Sequence, residues 1–282
     1  TGDTTETIQN LAVGMYWIQV TDTLNQIFTD TIDIIQSLPI LPIITKTNID
    51  CNGNANGNAN VNVTGGNGNY TYLWSNNATT NSLTNLNIGN YDLTVTDNVG
   101  CTGSAITTIT EPSILTANIS AITNVDCNGN NTGSATLTTT GGTTFYAYNW
   151  ANGQTNPTAT NLLAGTYTPT ITDANGCIDT ILVTITEPTV LVSSIINSQN
   201  INCNGNSTGS ISTSTIGGTG TYTFLWSNGQ TTANLQNIAA GTYTLSATDL
   251  SGCVSTTTET ITESTALGIQ LTPTDIDCNG NV

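Results

Sequence analysis

Histidine and arginine are absent from this chain, and Lys46 is its single lysine, against 18 acidic side chains and a formal net charge of −17. Each shortage excludes something. Without histidine neither a Ser-His-Asp nor a Cys-His arrangement can be assembled, and imidazole metal ligands are missing. With so few cations the chain cannot displace counterions from nucleic-acid phosphates, and an anionic membrane surface repels it. Long apolar runs are missing too, since none approaches the ~20 residues that span a bilayer. The composition therefore predicts a protein that is not an enzyme, binds no nucleic acid and does not insert directly into a membrane. No signal peptide opens the sequence and residue 1 falls in mid-pattern, as expected of an internal piece of a longer chain.

What is present points to β-structure. Charged residues make up 7% of the chain but hydrophobic ones 37%, which excludes a disordered acidic tail. Polar surface comes from Thr, Asn, Ser and Gly, the first a strand former and Asn and Gly turn formers. Their distribution is periodic. Trp74, Trp150 and Trp226 are spaced by 76 residues, as are Cys51, Cys127 and Cys203, then Cys101, Cys177 and Cys253. Tyr91, Tyr167 and Tyr243 keep step, and so do Asp97, Asp173 and Asp249, and Glu111, Glu187 and Glu263. So many residue types sharing one period define an internal repeat. Residues 1–38 read as the C-terminal part of a repeat in which Gln26 takes the place of the late cysteine. Three whole repeats follow at 39–112, 113–188 and 189–264, and 265–282 begin another, which leaves Cys278 unpaired by truncation.

Within one repeat, period-two alternation marks successive strands. In the second, Leu115, Ala117 and Ile119 share a face. Ala135 and Leu137 follow a turn-rich stretch, and Tyr146, Tyr148 and Trp150 lead to the Asn152–Gly153 turn. Tyr167 and Ile171 mark a further strand with Thr168, Thr170 and Thr172 facing outward, and Ile181, Val183 and Ile185 a last one. Six or seven short antiparallel strands around a central Trp predict an all-β fold, a tandem array of immunoglobulin-like β-sandwich repeats forming an elongated rod. Trp74, Trp150, Trp226, Tyr91, Tyr167 and Tyr243 are the expected core, the tyrosines in a tyrosine-corner role. Glu-Pro at 111–112 and 187–188 reads as a stiff linker, with Glu263-Ser264 as the exception.

Seven cysteines in such a chain read as disulfides formed in an oxidising place, the alternative being free buried thiols. Pairing inside each repeat joins Cys51–Cys101, Cys127–Cys177 and Cys203–Cys253 and lets each repeat fold alone; this is the preferred scheme. An objection is geometric: in a simple sandwich the two cysteines lie at opposite ends, and paired Cα atoms must come within about 7 Å. The competing scheme joins neighbours, as Cys51–Cys177 and Cys127–Cys253.

Other candidates are weaker. Asp97, Asp173 and Asp249 near the late cysteine, with Asp50, Asp126 and Asp277 before the early one, are candidate calcium ligands. No Asp-x-Asp-x-Asp loop accompanies them, however, Asn202 replaces the acid in one repeat, and turn capping explains them as well. No other cofactor is expected. Trp17 and Phe145 fall on outward positions and are the aromatics left over for contacts. Asn-x-Ser/Thr triplets at Asn62, Asn77 and Asn206 are expected by chance in this composition.

One combination is distinctive: Cys127-Asn128-Gly129, Gly133-Ser134, Gly141-Gly142-Thr143, Tyr146 to Trp150, Asn152-Gly153, Gly165-Thr166-Tyr167, Asp173 to Cys177, and Thr186-Glu187-Pro188. It resembles the SprB repeat, named for the very large gliding adhesin of flavobacteria, and the resemblance runs through nearly the whole chain. Asn76-Asn77 in place of Asn-Gly is a local departure. The resemblance implies a protein of the bacterial cell surface, exported by type IX secretion. It implies as partners the neighbouring repeats, an extracellular substratum or glycans, and, through other parts of the parent protein, the gliding and secretion machinery. The expected function is a structural stalk segment of a large adhesin for surface attachment and gliding motility. A carbohydrate-binding module array is the alternative, and it requires exposed aromatics that recur in each repeat.

Overall fold

The computed structural model describes residues 6–272, so Asp277 and Cys278 lie outside the described residues. Every regular element it describes is a β-strand. The chain divides into two compact units. One holds the residues up to Leu115 with Thr140–Phe145 and Asp173–Cys177; the other holds Thr116–Thr139, Tyr146–Thr172 and the residues from Ile178 onward.

The first unit opens with a hairpin, β1 (Gly14–Thr21) and β2 (Ile27–Ile34), in register from Gly14↔Ile34 to Thr21↔Ile27. A sandwich follows. It is built from β3 (Leu41–Thr47), β4 (Gly57–Thr64), β5 (Thr71–Trp74), β6 (Ser82–Leu86), β7 (Gly89–Thr96) and β8 (Thr102–Ile109). Strand order is β3-β4-β6 in one sheet and β5-β7-β8 in the other, all antiparallel. This division, with consecutive strands crossing between sheets and a closing hairpin, is the immunoglobulin-like Greek key reduced to six strands. Ala59, Leu83 and Leu86 from one sheet meet Trp74, Leu93, Val95 and Ile109 from the other in a single core.

The second unit repeats the plan twice. Its first sandwich runs β9 (Thr116–Thr123), β10 (Gly133–Thr140), β11 (Ala147–Asn149), β12 (Thr158–Leu162), β13 (Gly165–Tyr167), β14 (Thr170–Thr172), β15 (Ile178–Thr180) and β16 (Val183–Ile185). Its second runs β17 (Val192–Gln199), β18 (Gly209–Ile216), β19 (Thr223–Trp226), β20 (Leu235–Ile238), β21 (Gly241–Thr248) and β22 (Val254–Ile261). The sheets β17-β18-β20 and β19-β21-β22 match those of the first unit. In the other sandwich the strand predicted through Tyr167 and Ile171 is split, with β13 pairing β16 and β14 pairing β15. Pro169 sits at the break, where the other repeats carry Leu93 and Leu245. It has no N–H to give the ladder, so one long hairpin becomes two short ones.

Trp74, Trp150 and Trp226 are each 1% exposed. Each indole Nε1 donates a 2.9 Å hydrogen bond to a backbone carbonyl six residues on, at Thr80, Asn156 and Thr232. The polar edge is thereby satisfied inside the core, and truncation of one such Trp to Ala costs about 3–5 kcal/mol. The tyrosine hydroxyls of Tyr91, Tyr167 and Tyr243 donate to the carbonyls of Asn87, Leu163 and Ala239. Tyr16 does the same to Ala12 in the opening hairpin. Trp17 and Phe145 lie 69% and 87% exposed, so both remain free to touch a partner.

Candidate functional site: the junction between repeats

Each sandwich has an inlet pole, where the chain arrives, and an outlet pole, where it leaves, and each pole carries one of the two cysteines. At the inlet pole of the first repeat Gly66 N–H donates to the arriving Leu38 carbonyl at 2.7 Å. Gly65 and Gly66 hold φ of +79° and +65°, and a Cβ on Gly65 would meet the Pro39 carbonyl oxygen at 2.0 Å. The Gly-Gly pair is therefore needed both for the left-handed backbone and for the close approach of the incoming strand.

Beside it lies the turn that carries the late cysteine. One oxygen of Asp97 accepts the N–H groups of Val99 and Cys101, and the other accepts Asn67 N–H. Asp173 accepts Asn175, Cys177 and Thr143 in the same way, and Asp249 accepts Cys253 and Thr219. Burial alone would raise these carboxyls. The surrounding backbone N–H groups outweigh it, chiefly those of Asn67, Cys101 and Val99 for Asp97, Thr143, Cys177 and Asn175 for Asp173, and Thr219 and Cys253 for Asp249. All three carboxyls sit below their ordinary value. These oxygens, the candidate calcium ligands, thus face N–H donors, and among the described residues no cluster of three or more Cys, Asp or Glu forms.

The outlet pole is built differently. Cys51-Asn52-Gly53 forms a tight turn closed by Asn54 N–H donating to the Cys51 carbonyl. Glu111, on the departing chain, accepts Gly53 N–H at 2.8 Å, and Asn52 Nδ2 donates to the Pro112 carbonyl at 3.0 Å. The pattern recurs with Glu187, Gly129, Asn128 and Pro188, and with Glu263, Gly205, Asn204 and Ser264. Glu-Pro, read from sequence as a stiff linker, is therefore also the clasp of the early-cysteine loop. Asp50 reinforces that loop: the Asn54 and Asn56 side chains, and further backbone donors, hold its carboxyl below the ordinary value. For Asp126 the Thr132 hydroxyl and Asn130 amide do so.

The two cysteines of one repeat thus lie at opposite poles. Cys101 precedes β8, and the Cys51 loop is clasped just beyond the other end of that strand, roughly 26 Å away at ~3.3 Å per residue. No pairing within a repeat can close that distance. The structure instead joins Cys51 to Cys177 and Cys127 to Cys253, each with Cα atoms 5.6 Å apart. The preferred within-repeat scheme, Cys51–Cys101, Cys127–Cys177 and Cys203–Cys253, is overturned, because the outlet of one repeat adjoins the inlet of the next. Among the described residues Cys101 and Cys203 are free and exposed. At the first junction Asn175 Nδ2 also donates to the Asp50 carbonyl at 3.0 Å, and Cys177 Sγ lies 3.4 Å from that oxygen. Cys253 Sγ lies 3.4 Å from the Asp126 carbonyl at the second.

Immunoglobulin-like sandwiches on a six-strand plan, with one hairpin split in two in the middle repeat, joined in tandem by disulfides between neighbours define the class. The SprB repeat family model matches residues 43–79, 119–155 and 195–231, from the first strand of each sandwich through its Trp turn, and the chain contains three SprB repeats. Comparison with curated proteins finds no match. Among solved structures, three N-terminal domains of the bacteriophage RB49 Highly Immunogenic Outer Capsid protein (Hoc) are 12% identical, with a TM-score of 0.38, over 82% of this chain and 100% of that one. Extracellular domains 3–5 of Drosophila OTK are 12% identical at a TM-score of 0.28, covering 70% and 86%. The four N-terminal Ig domains of Dscam1 isoform 6.44 are 9% identical at 0.27, covering 92% and 82%. The immunoglobulin-like assignment rests on strand order within each sandwich.

Proposed function

We propose that the chain is a non-catalytic stalk segment of a large extracellular adhesin, serving surface attachment and gliding motility. The observation that carries the proposal is the pair of disulfides between neighbouring repeats. Such bonds serve a chain that bears load outside the cell, where oxidation preserves them. The SprB repeats support the surface and gliding setting. A net charge of −17 with one cation disfavours lateral clumping of copies. A carbohydrate-binding array has less support, because the recurring aromatics are core tryptophans and neither Trp17 nor Phe145 recurs.

Single-molecule pulling tests the load-bearing role. With both bonds formed, the shortest covalent path from Cys51 to Cys253 runs through both disulfides and the stretch Cys127–Cys177, so the span can lengthen only by that stretch. The oxidised chain should therefore release less than half the contour length of the reduced one. Equal release would overturn the stalk reading. Deletion of these repeats from the exported parent protein should reduce cell attachment and gliding, and normal motility would refute the adhesive part.

A further inference from the structure

Asparagine followed by glycine is prone to lose ammonia, because a glycine without Cβ leaves its own nitrogen open to turn back on the preceding side chain. That nitrogen gives up its proton and attacks the asparagine Cγ, and the side-chain nitrogen leaves as ammonia. Water then opens the five-membered imide to aspartate, or to isoaspartate, whose backbone runs through Cβ. An acceptor already holding the glycine N–H opposes the first step. The chain carries nine Asn-Gly pairs, of which Asn279-Gly280 lies outside the described residues.

Seven of the other eight are restrained. Gly53, Gly129 and Gly205 N–H donate to the clasp glutamates at 2.8, 2.7 and 2.7 Å. A carboxylate there also disfavours loss of the amide proton. Gly153 and Gly229 N–H donate to the Trp150 and Trp226 carbonyls at 2.9 Å, and Gly176 N–H to the Asp173 carbonyl at 3.1 Å. Gly57 is buried in β4 opposite Leu86. The remaining pair is Asn67-Gly68, at the inlet pole of the first repeat. Asn67 is exposed, a Cβ on Gly68 would meet nothing within 4 Å, and among the described residues Gly68 N–H donates no hydrogen bond.

We infer that Asn67 is a site of spontaneous modification, converting to aspartate and isoaspartate without an enzyme, and that the clasp glutamates protect the outlet loops from the same reaction. The change bears on the inlet turn, because Asn67 N–H donates to Asp97 at 3.0 Å. Either product sets a new carboxylate beside Asp97, and isoaspartate adds a backbone atom to the loop. The matching donors in the next two repeats belong to Thr143 and Thr219, which have no carboxamide to lose. The first inlet alone therefore ages by this route. The inference concerns the loop's own chemistry and does not rest on the adhesive reading.

The test incubates the full oxidised chain in warm, mildly alkaline buffer and follows each Asn-Gly peptide by mapping that separates aspartate from isoaspartate. Asn67 should convert roughly tenfold or more faster than Asn128 or Asn152, about the effect of one hydrogen bond on the competing sites. In guanidinium the pairs should converge to within a few-fold. Asn67→Thr, which installs the residue of the other repeats, should remove the early product and leave the remaining pairs unchanged. Glu187→Ala should speed conversion at Asn128 while Asn52, still clasped by Glu111, serves as the internal control. Conversion at Asn67 no faster than at Asn128, the same ranking in folded and unfolded chains, or an Asn128 indifferent to Glu187→Ala would each overturn the inference. The ranking in the unsubstituted chain decides the matter even if Glu187→Ala loosens the fold.

Discussion

The inlet and outlet poles of a repeat each present one cysteine, yet they are built on opposite principles. The inlet turn is largely local: one carboxylate collects N–H groups two and four residues ahead. It forms even where the cysteine is missing, since Asp22 accepts Leu24 and Gln26 N–H in the opening hairpin. The outlet loop is held from far along the chain, by a glutamate 58 residues beyond the glycine that it binds. The inlet is therefore set by its own short sequence, while the outlet is shaped once the rest of the sandwich has delivered its last strand.

Breaking the bond between the poles should have the largest effect. Cys127→Ser with Cys253→Ser removes a closed loop of 126 residues, and the chain-entropy estimate is a loss of about 4–5 kcal/mol in urea unfolding. A change below about 1 kcal/mol would mean that the poles dock without covalent help. Next, Asp173→Ala at an inlet strands three backbone donors and should lower the calorimetric melting temperature by roughly 10 °C. Glu187→Ala at an outlet frees one donor and should cost only a few degrees, about a third as much. If the glutamate variant proves the worse, the contrast between local and distant support fails.

Acid sharpens the same comparison. The inlet carboxyls are depressed in the folded state, so their stabilisation is complete above the ordinary carboxylate value of about 3.9 and is lost as pH falls through their folded values. The melting temperature should decline below about pH 4, and less so in the Asp173→Ala chain. Calcium should have the smallest effect: millimolar amounts should leave melting unchanged, because the inlet carboxylates are turned toward N–H donors. A rise of several degrees would show that those oxygens do bind a cation.

Much of this fold is written locally. The period, the alternating strands and the Asp turns follow from residues within a few positions of one another. The buried Trp is marked by its place at the end of an alternating aromatic run, as in Tyr146, Tyr148 and Trp150. Pro169 also carried a readable signal, since a proline inside a strand pattern predicts a break in the ladder. The clasp by Glu111 and the pairing of Cys51 with Cys177 were less legible for a common reason. Both join positions whose distance depends on how strands run between the poles, and spacing in sequence does not report that. Opposed poles were foreseeable from a simple sandwich, and that objection proved decisive over the economy of a repeat closed on itself.

The overlapping bonds also determine what a protease can do. A single cut between Cys51 and Cys177 leaves its two products tethered through that disulfide, and a cut between Cys127 and Cys253 leaves them tethered through the other. Between Cys127 and Cys177 both bonds hold. From Cys51 to Cys253 no one nick severs the chain, so continuity survives damage that would shed the distal part of a simple string of domains.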